Sequence, residues 1–181
     1  MKDLKEFTIP FTGLKIGKHQ FNFELKKAFF EHFEYDEFND ADINLDVLLE
    51  KMSAFLEITL TFNGTVNVAC DTTNELYDQE LSGSYLFVVR FGEEFDDENE
   101  DLLILPHGSF EVNIAQYVYE TLVLAMPLRR VHPGVKDGSL KSEILDKLEE
   151  LSPKVPDEDM EAEDENTDPR WDSLKKLLTD K

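Results

Sequence analysis

Apolar and polar residues alternate strictly from Leu56 to Phe62, within the segment 55–62, which is typical of a β-strand with one buried face. Leu56, Ile58 and Leu60 fall on the same side as Phe62, because successive side chains of a strand point to opposite faces. A helix would distribute the same side chains around its axis. We therefore predict a strand here, the clearest one in the chain.

The dipeptide Asn63-Gly64 follows at once and is a strong signal for a tight hairpin turn. A returning strand would then carry Val66 and Val68. With a two-residue turn, these valines would face away from Phe62 and its apolar neighbours, because directly paired residues share a face. We expect a bulge to restore the match; the alternative is a sheet that is partly covered on both faces.

The spacing of apolar residues, every second residue in a strand and every three to four residues in a helix, predicts the remaining elements. Alternation indicates strands at 5–12, 19–25, 42–51, 75–80 and 82–91, and the short apolar run 102–105, closed by Pro106 and Gly108, indicates a buried strand. A period near that of a helix indicates a short helix over 25–33 and another over 139–151, capped by Ser139. Because strands mostly precede helices, we predict an α+β fold with a mostly antiparallel sheet, which could form a partly closed β-barrel.

A central helix is predicted between Asn113 and Pro127, which ends it because proline cannot continue the backbone ladder. Asn113 suits the N-cap position, and Gln116 stands where a capping box needs it. Glu120 is the only charged residue of this helix. A helix that is apolar nearly all round should be buried on several sides.

The net charge of −22 is concentrated in two runs. Residues 93–101 hold seven acids and residues 157–168 hold eight, with no base in either run. Without them, 25 acids face 18 bases. Such a surface attracts basic proteins and repels phosphate backbones. The alternative is that both runs only keep the chain solvated.

The motifs exclude several functional classes. The histidines belong to no recognisable motif, and neither a glycine-rich phosphate loop nor a nucleophile elbow is present. We therefore expect no catalysis, no cofactor and no small-molecule substrate. Cys70 is the single cysteine, so it can form neither an internal disulfide nor a zinc knuckle, and we interpret it as a buried thiol.

The sequence also lacks the signals of export. The N-terminal residues 1–11 do not read as a signal peptide, and no apolar run reaches the roughly 20 residues that a membrane helix needs. We expect a cytoplasmic protein with no membrane contact.

Composition divides the chain into four parts: an α+β core domain over 1–133, a helical extension over 134–152, a disordered acidic linker over 153–168 and a C-terminal amphipathic helix over 169–181. The last two form a flexible acidic tail that ends in a short helix. A helix of this kind suggests a docking element, formed by Asp168, Pro169, Arg170, Trp171, Leu174 and Leu178.

A small basic patch follows the central helix, with Arg129, Arg130, His132 and Lys136. These cations could merely complement the helix dipole. Alternatively, they contact a phosphate or an acidic partner. Broad nucleic-acid binding is disfavoured, because the net charge opposes it.

Several segments, in this order, resemble the YceD family, the large ribosomal RNA subunit accumulation proteins of bacteria. They are GLKIGKHQFNFEL (13–25), GTVNVACDTTNEL (64–76), FEVNIAQYVYETLVLAMPLRRVH (110–132) and DPRWDSLKKL (168–177). Relatives often carry a C-x-x-C pair and further cysteines later. Here Cys70 matches the first cysteine, Thr73 stands in place of the second, and Arg129–His132 contain none, so no metal site is expected in this chain.

The resemblance implies a non-enzymatic role in the accumulation of 23S rRNA and in biogenesis of the large ribosomal subunit. Together with the negative charge, it favours action through basic ribosomal or ribosome-assembly proteins. The alternatives are direct rRNA binding through the patch between Arg129 and Lys136, and a metal-dependent module.

Overall fold

A six-stranded sheet and a separate two-stranded sheet form the β-structure of the chain, for which a computed structural model describes residues 3–152. The strands are β1 (Thr8–Pro10), β2 (Gly17–Lys26), β3 (Asp40–Lys51), β4 (Phe55–Ala69), β5 (Leu76–Gly92), β6 (Asp96–Asn99), β7 (Leu102–Pro106) and β8 (Glu111–Asn113). The helices are a 3-10 helix (Asp3–Phe7), α1 (Lys27–Glu31), α2 (Ala115–Leu124), α3 (Pro133–Lys136) and α4 (Glu143–Leu151).

The large sheet has the strand order β2-β3-β4-β5-β7-β6, and the small sheet pairs β1 with β8. Neighbouring strands are antiparallel except β5 and β7, which are parallel. The α+β class and the mostly antiparallel sheet are thus confirmed. The partly closed barrel is wrong, because β2 and β6 remain separate edges of an open sheet in the described part of the chain.

The hairpin predicted at Asn63-Gly64 is wrong, because both residues lie inside the continuous strand β4. Asn63 pairs with Asn44 of β3 on one side and with Ser82 of β5 on the other. Burial alternates along the strand, so Val66 shares the buried face with the earlier apolar residues and no bulge is needed. Pairing on both sides overrides the local turn signal.

Gly64 serves a close approach between strands. A Cβ atom built at this position would contact the Asp42 backbone oxygen and lie 2.6 Å from Ile43 Cα. Both atoms belong to the backbone of β3, which cannot move away without losing its pairing. Glycine is therefore required here by space, as it often is where two backbones come close.

Other predicted strands change in length. The segments 75–80 and 82–91 join into the single strand β5, and the acidic loop 93–101 contains β6 at the sheet edge. The strand expected at 5–12 shrinks to β1, preceded by the 3-10 helix. Pro10 lies in β1, which pairs only with β8, as its edge position predicted.

One contiguous core covers the inner face of the large sheet. Its buried aromatic residues include Phe7, Phe29, Phe30 and Phe38, with ring centroids 4.9 Å apart for Phe7 and Phe29 and 4.8 Å apart for Phe30 and Phe38. Burying one such side chain contributes about 1.5–3 kcal/mol to the free energy of unfolding. Phe7 therefore anchors the 3-10 helix in the core, and Phe29 and Phe30 anchor α1 there.

Helix α2 is fully buried along one face only, so the expected burial on several sides is wrong. Ala115, Val118 and Leu122 are buried in the core, whereas Leu124 is 84% exposed. The remaining apolar side chains of the helix border a groove, described below.

The capping box of α2 is also wrong. Asn113 ends β8, and its Oδ1 atom accepts the N–H of Ala115 at 2.9 Å. Gln116 donates to Glu120 Oε1 at 2.9 Å instead of reaching back to Asn113. The helix therefore begins later than predicted, directly after a strand.

The helix predicted over 139–151 is shorter than expected. It begins at Glu143, so Ser139 is not its cap, and the one-turn helix α3 precedes it. The helix predicted over 25–33 is likewise reduced to α1. Within residues 3–152, no helix has the length and apolar character needed to cross a membrane.

The chain divides into two units, Met1–Leu145 and Asp146–Lys181, and the contacts described below lie within the first. The predicted acidic linker 153–168 and the C-terminal helix 169–181 lie outside the described residues.

We expect Gly64→Ala to lower the free energy of unfolding by about 1–3 kcal/mol, because the added methyl group overpacks the contact between β3 and β4. Gly13→Ala is the matched control, since nothing lies within 4 Å of a Cβ atom at that position. Urea denaturation of both variants measures the difference. Equal stability of the two variants would contradict the continuous strand.

Candidate functional site

The basic segment after α2 is bound to the turn that joins β4 to β5. The backbone N–H of Asp71 donates to the Arg130 carbonyl oxygen at 2.8 Å, and the Arg130 N–H donates to Asp71 Oδ2 at 2.7 Å. This reciprocal pair holds residues 127–132 against the turn. Two segments that are 59 residues apart in sequence thus form one site.

The side chain of Arg130 forms two ion pairs at this site. Its Nη1 atom lies 2.8 Å from Glu37 Oε2, and its Nε atom lies 3.4 Å from Asp71 Oδ1. Burial lowers the pKa of Arg130, but the contacts with Glu37 and Asp71 outweigh this and raise it. Only 28% of the side chain is exposed, so Arg130 is a structural clamp between the turn and the loop that precedes β3.

His132 also forms contacts within the protein. Its backbone N–H donates to Cys70 Sγ at 3.3 Å, and its Nδ1 atom accepts the N–H of Gly134 at 2.9 Å. The ring lies against Tyr77, with centroids 5.4 Å apart in an edge-on arrangement. Because Nδ1 is an acceptor, the neutral ring carries its proton on Nε2.

The Cys70 sulfur receives several hydrogen bonds. Burial raises the pKa of this thiol, but hydrogen bonds from the His132 backbone, the Thr73 side chain and the backbone of Thr72 and Thr73 outweigh it and lower the pKa to about 7. A thiolate is a nucleophile and a metal ligand. Cys70 is only 2% exposed, however, which keeps the sulfur away from substrates.

Thr73, in the place of the second family cysteine, is buried as well, and its Oγ1 atom accepts the Glu75 N–H at 3.4 Å. Among residues 3–152, no group of three or more His, Cys, Asp or Glu side chains could hold a metal ion. Hydrogen bonds and ion pairs hold the turn and the following segment together.

Arg129 and Lys136 differ from the two residues above, because both are exposed. The structure thus brings Arg130 and His132 to one turn and leaves Arg129 and Lys136 on the surface. Glu37 and Asp71 were missed as partners of Arg130, since no sequence pattern links acids to a cation 93 and 59 residues away.

The acidic run 93–101 forms a second site at the edge of the large sheet. Strand β6, with Asp96 to Asn99, is exposed and pairs with β7. The hydroxyl of Tyr85 donates to the backbone oxygen of Glu100, which fixes the end of the run to β5. Three of the seven acids, Asp96, Asp97 and Glu98, are therefore presented by a strand rather than by a free loop.

The predicted docking residues of the C-terminal helix, Asp168 to Leu178, lie outside the described residues.

The fold and the two sites define an acidic α+β protein whose cationic segment is bound to the turn between β4 and β5. The chain belongs to the YceD family: the family model described as large ribosomal RNA subunit accumulation protein YceD matches residues 58–178. No curated protein and no solved structure matches the chain.

We expect Arg130→Ala to lower the free energy of unfolding by about 0.5–1.5 kcal/mol, because it removes the contacts of a largely shielded arginine with Glu37 and Asp71. Arg129→Ala removes the same charge from an exposed position and should change stability by less than about 0.5 kcal/mol. Urea denaturation measures both. A similar loss in the two variants would show that Arg130 is not the clamp.

Proposed function

We propose that this protein is a non-enzymatic accessory factor that supports accumulation of 23S rRNA and biogenesis of the large ribosomal subunit in the cytoplasm. Membership of the YceD family carries this proposal, because the family is described by accumulation of the large-subunit ribosomal RNA. The detailed role, through basic protein partners, rests on the charge of this chain.

The charge distribution favours proteins over RNA as direct partners. The chain carries a net charge of −22, and part of it is fixed on β6 at the sheet edge. Each phosphate contact requires a cation, whereas a basic protein is attracted by the existing field. Proteins of the ribosome need Lys and Arg to bind rRNA, so they offer the complementary charge.

The surroundings of Cys70, the strongest candidate nucleophile, support a non-enzymatic role. Cys70 is buried, and His132 presents its backbone N–H to the sulfur while its Nδ1 atom is occupied by Gly134. This arrangement stabilises a turn. It provides no open position for a reacting group next to the thiol.

Direct binding of rRNA is the second candidate, and the exposure of Arg129 and Lys136 favours it. Arg129→Glu/Lys136→Glu tests it without disturbing Arg130. If these cations bind RNA, gel shifts on 23S rRNA fragments should weaken at least about tenfold, since each lost phosphate contact removes counterion release. Binding that is absent from the wild type, or equal in the variant, removes this candidate.

The cellular role is tested by the ratio of 23S to 16S rRNA. We expect deletion of the gene to lower this ratio and expression of the wild-type chain to restore it, because the deletion removes a factor on which large-subunit assembly depends. RNA electrophoresis and sucrose-gradient profiles of the 50S subunit measure the effect. The Cys70→Ser variant should also restore the ratio, since no thiol chemistry is required. An unchanged ratio after deletion rejects the proposed function.

A further inference from the structure

A groove of about 590 Å³ lies between α2 and the acidic strand β6, beside β5. Its volume falls in the range of ligand sites, roughly 300–1,000 Å³. The described lining comes from β4, β5, residues 97–100 and seven of the residues between 117 and 125, so all of it belongs to the first unit of the chain. The basic segment around Arg130 does not contribute to it.

Aromatic rings form part of the wall of this groove. Tyr117 of α2 stacks on Phe87 of β5, with centroids 4.3 Å apart, and Tyr85 stacks on the same ring at 5.8 Å. Both tyrosines remain partly exposed, whereas Phe87 is buried. Phe87 therefore supports both tyrosine rings. They offer a rigid surface, which reduces the entropy lost on binding.

Acidic residues line the groove on two sides. Asp97, Glu98 and Glu100 stand on the β6 side and Glu120 stands on α2, and all four are exposed. None of the described residues that line the groove is a lysine or an arginine. Burial, with smaller contributions from the neighbouring Asp97 and Glu120, raises the pKa of Tyr117 to about 12.

We propose that this groove binds a Lys- and Arg-rich peptide segment of a partner protein. Long cationic side chains would lie against Tyr85 and Tyr117, because a cation is attracted to the face of an aromatic ring. Their charged groups would reach Asp97 and Glu120 from the two walls and form charge-assisted hydrogen bonds. The inference deepens the proposed function, because it assigns a surface to its basic partner.

The groove chemistry selects a peptide over RNA. Nucleotide bases could stack on the tyrosines, but their phosphates would meet four carboxylates and no described lysine or arginine in the lining. A Lys- or Arg-rich segment satisfies the rings and the carboxylates together. A volume of about 590 Å³ accepts a few long side chains rather than a folded domain.

Fluorescence anisotropy with a labelled peptide of alternating Arg and Gly residues tests the proposal on the full chain. The variant Asp97→Asn/Glu120→Gln removes one charge from each wall, and we expect it to bind the peptide at least about tenfold more weakly than the wild type. Glu24→Gln/Glu50→Gln makes the same change in net charge on β2 and β3, at the other end of the sheet. This control should bind within about twofold of the wild type.

Three outcomes would overturn the proposal. Equal weakening in both variants would mean that only the net charge attracts the peptide. Unchanged binding in Asp97→Asn/Glu120→Gln would place the peptide elsewhere, including on the acidic run 157–168. Binding of a 23S rRNA fragment that is weakened by the groove variant and not by the control would make RNA the occupant.

Complementation separates this inference from the proposed function. If deletion lowers the 23S to 16S ratio and the groove variant restores it fully, the groove is not the partner site, although the function stands. If deletion leaves the ratio unchanged, the function fails, whereas the peptide measurement still decides whether the groove binds a basic segment. Failure to restore the ratio, together with the loss of peptide affinity, supports both.

Discussion

Strand β4 pairs along its full length with β5 on one side and from Leu56 to Asn67 with β3 on the other, and the core is assembled on the face that this pairing creates. The apolar residues of three strands meet there, because directly paired residues share a face. A shift by one residue would turn all of them to solvent. Gly64 allows the backbones of β3 and β4 to approach within this arrangement, and α2 and the aromatic residues around Phe30 then cover the buried face.

The pairing of β4 with β5 also positions the turn to which the segment after α2 is bound. The turn between β4 and β5 carries Cys70 and Asp71, which bind the segment that follows α2 through a sulfur, a carboxylate and the backbone. Two of the four residues in the basic patch, Arg130 and His132, are used in this way. Their positive and polar groups therefore stabilise the fold first, and Arg129 and Lys136 remain for any contact with phosphate.

The negative charge of β6, which forms one edge of the large sheet, has two consequences. The acids of β6 make an edge strand unattractive for pairing with other chains, which is a common protection against aggregation. They also form one wall of the groove beside Tyr85 and Tyr117. Under the proposed function, this one feature serves both the solubility of the protein and the recognition of a basic partner.

The sequence by itself determined the α+β class, the faces of the strands and the family, because alternation and motif order are local properties of the chain. It could not distinguish the turn signal of Asn63-Gly64 from an extended position between two neighbours, since only pairing with β3 and β5 decides that. It could identify Arg130 as a cation but not as the partner of Glu37 and Asp71. Burial on one side of α2, the β6 edge and the groove between them depend on long-range packing, which only the tertiary structure decided.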